Sequence, residues 1–188
     1  MDALTHAVEA YIGGWSTAFS DRMALSAVGL IYQNLPLAFA DGQNLAAREK
    51  MALASMYAGL AFTRASVGNV HAIAHQVGGL YHTPHGLANA ILLPPVLRFS
   101  STAIQAKLAV LAVQARVGRP KEPEARLAQK FLDSVESMNR ALGIPKHLDA
   151  LRVQDIPVLA KAACREADIN YPVPRAMSQQ ACEALLRE

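Results

Sequence analysis

Aromatic residues are scarce in this 188-residue sequence: five Phe, five Tyr and one Trp amount to 6%. That scarcity argues against a β-sandwich, whose strands lean on aromatic and β-branched pairs. Charge is thin as well, at 18% of residues, and 18 Lys+Arg against 15 Asp+Glu leave only +3 with the histidines neutral. The basic residues are dispersed. Arg64 and Arg98 stand alone, and the group Arg116, Arg119, Lys121 is interrupted by Glu122 and Glu124. Neither nucleic acid nor an anionic membrane is therefore expected as a partner. Cysteine is limited to Cys164 and Cys182, without Cys-x-x-Cys spacing, which excludes a disulfide scaffold and points to a reducing, cytoplasmic setting. No basic, apolar leader opens the chain. The longest apolar run, Gly86 to Leu97, is too short and too interrupted by proline to cross a bilayer.

What is present is alanine, 35 of it, within a 52% apolar composition that excludes a disordered chain. Small side chains of high helix propensity suit closely packed helices. The periodicity agrees. Met1–Ile12 carries Ala3, Leu4, Ala7, Ala10 and Tyr11 on one face and stops at Gly13-Gly14. A second helix is predicted over Asp21–Ala40, kinked or shortened by Pro36, and a third over Leu45–Val67, buried on most sides along Met51–Phe62. Asn69–Val77 reads as a short helix broken at Gly78-Gly79, followed by a loop from Leu80 to His85. Helices follow over Gly86–Ser100, Ser101–Val117, Pro123–Leu142, Asp155–Ala167 and Ser178–Arg187, the last with Ser178 as N-cap. Ile169–Arg175 holds two prolines and reads as an extended loop. No strand alternation and no repeat is found. The expected fold is all-α, a multi-helix bundle of one domain over residues 1–188.

Histidine is the uneven feature: five of six lie in the first 85 residues, four of them between His71 and His85. Asp2 and His6, and again His71 and His75, stand four apart, which stacks each pair on one helix face. His85 follows in a loop, between Pro84 and Gly86. A divalent metal needs three or four converging donors, and imidazoles with a carboxylate suit Fe(II) or Zn(II). Asp2, His6, His71 and His85 would supply them and leave space for a substrate oxygen. Spacing alone leaves His75 equally able to ligate. Each element also has a plainer explanation: a lone His is more often a hydrogen-bonded core residue, and Asp2 suits a helix start.

The segments Asp2-Ala-Leu-Thr-His-Ala-Val-Glu-Ala-Tyr11, Val70-His-Ala-Ile-Ala-His-Gln-Val-Gly-Gly79 and Tyr81-His-Thr-Pro-His-Gly-Leu-Ala-Asn-Ala-Ile-Leu-Leu-Pro94 resemble the signatures of the iron-containing alcohol dehydrogenases. The gapless second and third segments are the specific part. The resemblance extends, more weakly, through Asn170–Arg175 and covers the chain as that family's helical C-terminal domain. It implies that Asp2, His6, His71 and His85 bind the catalytic metal, Fe(II) or alternatively Zn(II). It implies that His75 serves proton relay rather than ligation, and that Phe62 lines the substrate pocket. His82 and His147 carry no implied role. The implied chemistry is reversible hydride transfer between a small alcohol or aldehyde and NAD(P).

The family's dinucleotide-binding α/β domain has no counterpart in these 188 residues. Gly13-Gly14-Trp15-Ser16 follows a helix rather than a strand and reads as an inter-helix turn. The chain is accordingly expected to be truncated and inactive as a dehydrogenase alone. The protein partners expected are an N-terminal domain or a second copy of the chain. Two other functions compete: an inert helical metal-binding or oligomerisation module, and a metal-dependent hydrolase with His75 as base. The hydrolase ranks last because no carboxylate is spaced for that role near His71.

Overall fold

The computed structural model describes residues 1–188 and holds helices without a strand. The order is α1 (Asp2–Ile12), α2 (Ala18–Ala40), α3 (Leu45–Ala65), α4 (Asn69–Tyr81), α5 (His85–Gln114), α6 (Glu124–Ala141), a 3₁₀ turn at Val153–Asp155, α7 (Ile156–Asn170) and α8 (Gln179–Arg187). The all-α expectation holds.

Helix α1 is the centre of the bundle. It packs on α2, α3 and α5, and Leu4, Ala7, Val8 and Ala10 have no exposed surface. Ala24 and Ala27 of α2 and Ala54, Ala58 and Ala61 of α3 share this core, and side chains so small let helix axes approach closely. Helix α4 bridges α5 and α7, α6 runs along α5, and α8 rests on α7. Larger side chains fill the second half of the core: Leu93, Leu97, Leu108, Leu111 and Phe131 are fully buried.

Several expectations are corrected. Helix α2 begins at Ala18 rather than Asp21, because Thr17 and Ser20 form a reciprocal capping box. It runs on through Pro36 to Ala40. Helix α3 is not buried on most sides over Met51–Phe62: one alanine stripe faces the core, whereas Met56 and Leu60 are exposed. Helix α4 does not break at Gly78-Gly79 but continues to Tyr81, where His82 adopts a left-handed conformation (φ 56°) and ends it. The glycines cost about 1 kcal/mol each against alanine, which the fully buried stripe of Val70, Ile73 and Val77 outweighs. The two helices expected on either side of Ser100 follow one another as α5, with the break between them at Ile104 (φ −124°, ψ 16°) rather than at Ser100. Helix α5 passes through Pro94 and Pro95. His85 is thus the first residue of a helix and not part of a loop.

Because α2 and α5 persist through their prolines, both are long and apolar enough to cross a membrane, by length and composition. This differs from the reading of the Gly86–Leu97 run. Here both helices contribute to the shared core. A cavity of about 620 Å³ lies between α5, α6 and α8 and is lined by residues such as Arg98, Asn139, Leu151 and Leu186. Exposed His147 lies there as well, far in sequence from the other histidines.

Candidate metal centre

Three helix segments converge on one point. Asp2 and His6 occupy consecutive turns of α1, His71 comes from the first turn of α4, and His85 opens α5. One donor atom from each of the four lies within 4.8 Å of the others. Gly86 permits this approach, since a Cβ there would stand 3.1 Å from the Asp2 Cβ. The i, i+4 pairing of Asp2 and His6 does bring both to the same point, as the spacing predicts.

The second nitrogen of two imidazoles is already committed. His6 Nδ1 lies 3.0 Å from the Asp2 carbonyl oxygen, to which it donates. His71 Nδ1 donates to Glu9 Oε2 at 2.6 Å, and Glu9 Oε1 accepts the Val70 N–H at 2.7 Å. With both protons held on Nδ1, the Nε2 lone pairs of His6 and His71 face each other across 3.0 Å. Two opposed lone pairs repel unless an electrophile lies between them. A cation with bonds of about 2.1 Å to nitrogen places donors about 3.0 Å apart at right angles and about 3.4 Å apart at the tetrahedral angle, so the spacing suits one. Burial, reinforced by the nearby His71, holds the His6 pKa below its ordinary value against the pull of Asp2. Burial lowers that of His85 in the same way. Both shifts favour the neutral imidazole, the form that ligates.

His75 stands outside this set. Its Nδ1 donates to Glu166 Oε1 at 2.6 Å, and its ring stacks on that of His85 with centroids 5.6 Å apart. Glu166 also accepts from Gln76 Nε2 and Tyr171 Oη, each at 2.6 Å. Burial and the adjoining carboxylate push the Tyr171 phenol well above its usual range, so it remains a donor. The Phe62 ring lies 4.4 Å from the His6 ring, giving the cluster an apolar flank. His82 is exposed and takes no part.

Three participants escaped the sequence reading. Glu9 lies on His71, so the premise that no carboxylate is placed near His71 is corrected, and Glu166 lies on His75. The third, Asn89, reaches Asp2, His71 and His85 with its amide. A signal existed for two of them. Glu9 is a charge within an otherwise buried helix, which demands a partner, and Asn89 repeats the four-residue spacing after His85. Glu166, 91 positions from His75, gives none.

A helical bundle whose first, fourth and fifth helices bring one aspartate and three histidines together defines the class. The sequence profile of the Fe-containing alcohol dehydrogenase family, C-terminal part, matches residues 1–188. The chain belongs to that family and corresponds to its C-terminal helical domain. It is 42% identical over 190 residues to 1,3-propanediol dehydrogenase of Klebsiella pneumoniae, covering all of this chain and 49% of that protein. It is 38% identical over 169 residues to alcohol dehydrogenase 4 of Saccharomyces cerevisiae, covering 89% of this chain and 43% of that one. Among solved structures, a 1,3-propanediol oxidoreductase superposes with a TM-score of 0.95 at 41% identity, over 100% of this chain and 49% of the other. An alcohol dehydrogenase from Oenococcus oeni does so at 0.93 and 31% identity, with the same coverage. The chain spans about half the length of the curated relatives it matches.

Proposed function

We propose that this chain is the metal- and substrate-binding domain of an NAD(P)-linked alcohol dehydrogenase that interconverts a small alcohol with its aldehyde or ketone. Asp2, His6, His71 and His85 hold the catalytic cation, Fe(II) or alternatively Zn(II). The observation that carries the reading is the pair of opposed Nε2 atoms 3.0 Å apart, each with its Nδ1 proton committed elsewhere. The relatives named for alcohol and diol oxidation support the substrate class.

When bound, the cation would acidify an alcohol hydroxyl or polarise a carbonyl, and the nicotinamide would exchange hydride with the carbon. His75 handles the proton. Its Nδ1 is fixed by Glu166, which leaves Nε2 to take the hydroxyl proton, and its 40% exposure lets that proton pass to solvent. Phe62 supplies an apolar wall beside His6 that favours a small carbon skeleton and excludes water. The dinucleotide is held outside these residues, among which no strand–glycine turn–helix exists. We therefore read the chain as inactive alone and as partnered by an N-terminal domain or a second copy. Its free cysteines fit a cytoplasmic setting.

The test is anaerobic reconstitution with Fe(II), elemental analysis, and NAD(P)H-dependent aldehyde reduction with and without a relative's N-terminal half. The expected result is one equivalent of metal per chain, lost in His71→Ala and His85→Ala, with turnover only when the second half is supplied. Absence of stoichiometric metal, or turnover by the chain alone, refutes the corresponding part.

A further inference from the structure

The donor set described so far is four side chains, yet a fifth polar group stands among them. Asn89 lies on α5, one turn after His85, and has no exposed surface. Its amide nitrogen is 2.8 Å from Asp2 Oδ1, 3.1 Å from His71 Nε2 and 3.0 Å from His85 Nε2. Three of the four donor atoms therefore surround one amide head. An NH₂ group has two hydrogens and cannot serve three acceptors. Meanwhile Asn89 Oδ1 is buried and meets no partner, a position that costs about 1–3 kcal/mol for an orphaned acceptor.

We propose that Asn89 is a fifth donor of the centre, turning its amide oxygen to the cation, an inference that rests on reading the cluster as a divalent-cation site. The two ends of the amide are nearly equal in size, so a half-turn about the terminal torsion exchanges nitrogen for oxygen without moving the backbone. A cation repels the N–H hydrogens that now face Asp2, His71 and His85, and attracts the carbonyl dipole. The half-turn thereby replaces an oversubscribed donor with an oxygen among the ligands. The separations of 2.8–3.1 Å match those of donors at right angles around a cation with bonds near 2.1 Å, about 3.0 Å, as in a site of more than four ligands. The spacing repeats the logic of Asp2 and His6, since His85 and Asn89 occupy adjacent turns of one helix face. The resulting set holds two oxygens and three nitrogens. It favours an ion that accepts more than four ligands and tolerates hard donors, such as Fe(II), over Zn(II), which is satisfied by four.

The experiment uses the full chain with Co(II), whose visible absorption reports coordination number, and with Fe(II) and Zn(II) in competition with a chromophoric chelator. Asn89→Ala is expected to weaken Co(II) and Fe(II) binding by about 10- to 100-fold. Its Co(II) bands should intensify as the set contracts to four donors. Asn89→Asp retains an oxygen at this position and gives up the NH₂, so it is expected to bind at least as tightly as the parent. Equal affinity and spectrum in the parent and Asn89→Ala overturn the inference while leaving the four-ligand centre intact. Weakening in Asn89→Asp as large as in Asn89→Ala also overturns it, because the NH₂ would then matter through its bond to Asp2. A parent chain that binds no Co(II) overturns this inference together with the reading beneath it. Far-UV circular dichroism checks that each variant folds. Should the alanine variant unfold, the aspartate variant decides.

Discussion

Replacing Glu9 by Gln exchanges one carboxylate oxygen for an amide group of nearly the same size at a position only 3% exposed. Both oxygens are in use, Oε1 by the Val70 N–H at 2.7 Å and Oε2 by His71 Nδ1 at 2.6 Å. If the amide oxygen keeps Val70, the NH₂ group faces His71 Nδ1, which must then accept. The ring proton moves to Nε2, the atom 3.0 Å from His6 Nε2, and a protonated Nε2 cannot ligate. Metal affinity is expected to fall about 10- to 100-fold. Folding stability changes less, by about 1–2 kcal/mol, because one charge-assisted hydrogen bond becomes a neutral one. Glu9→Ala is the contrast: it leaves two buried donors, the Val70 N–H and the His71 Nδ1–H, without their acceptor, at about 1–3 kcal/mol each. That is a large share of the about 5–15 kcal/mol that holds a domain folded. Chelator competition reads the affinity, and long-range proton–nitrogen correlation on the imidazoles reads the tautomer. Parental affinity in Glu9→Gln, with His71 still protonated at Nδ1, refutes the argument.

Phe131→Ala removes a fully buried ring that lies against Tyr32, centroids 6.1 Å apart. Denaturant unfolding is expected to show a loss of about 3–5 kcal/mol, with metal affinity of the folded protein unchanged; a loss below about 1 kcal/mol contradicts the packing described. A pH series with chelator present tests the two imidazoles whose pKa values partial burial lowers. His6 and His85 both have folded pKa values below the ordinary 6.5, so the folded state binds fewer protons than the unfolded one. Their contribution is complete above pH 6.5 and is lost as pH falls through the lowered values. The melting temperature should drop across that window, and the drop should shrink in His6→Gln; a flat profile opposes the assignment.

Much of the fold is legible in local pattern. The end of α1 at Gly13, the Ser178 cap of α8 and the all-helical class follow from spacing and turn chemistry, which act within a few residues. Where local signals oppose burial, they lose. Gly78-Gly79 reads as a break, but core contacts along α4 outweigh its cost of about 1 kcal/mol per glycine. The exposed side of α3 was illegible for the opposite reason, since an apolar side chain reads alike whether a neighbour covers it or not.

By itself the sequence determined which residues can share a helix face, because that depends only on 3.6 residues per turn. It brought Asp2 to His6 and aligned His71 with His75. Whether each imidazole turns toward a common centre was settled elsewhere, by groups that only folding delivers. Glu9 arrives from α1 to hold His71 toward the cluster, and Glu166 arrives from α7 to hold His75 away from it. An imidazole has two nitrogens, and the partner of one decides what the other can do. That partner lies 62 positions away for His71 and 91 for His75, beyond the reach of any helical period.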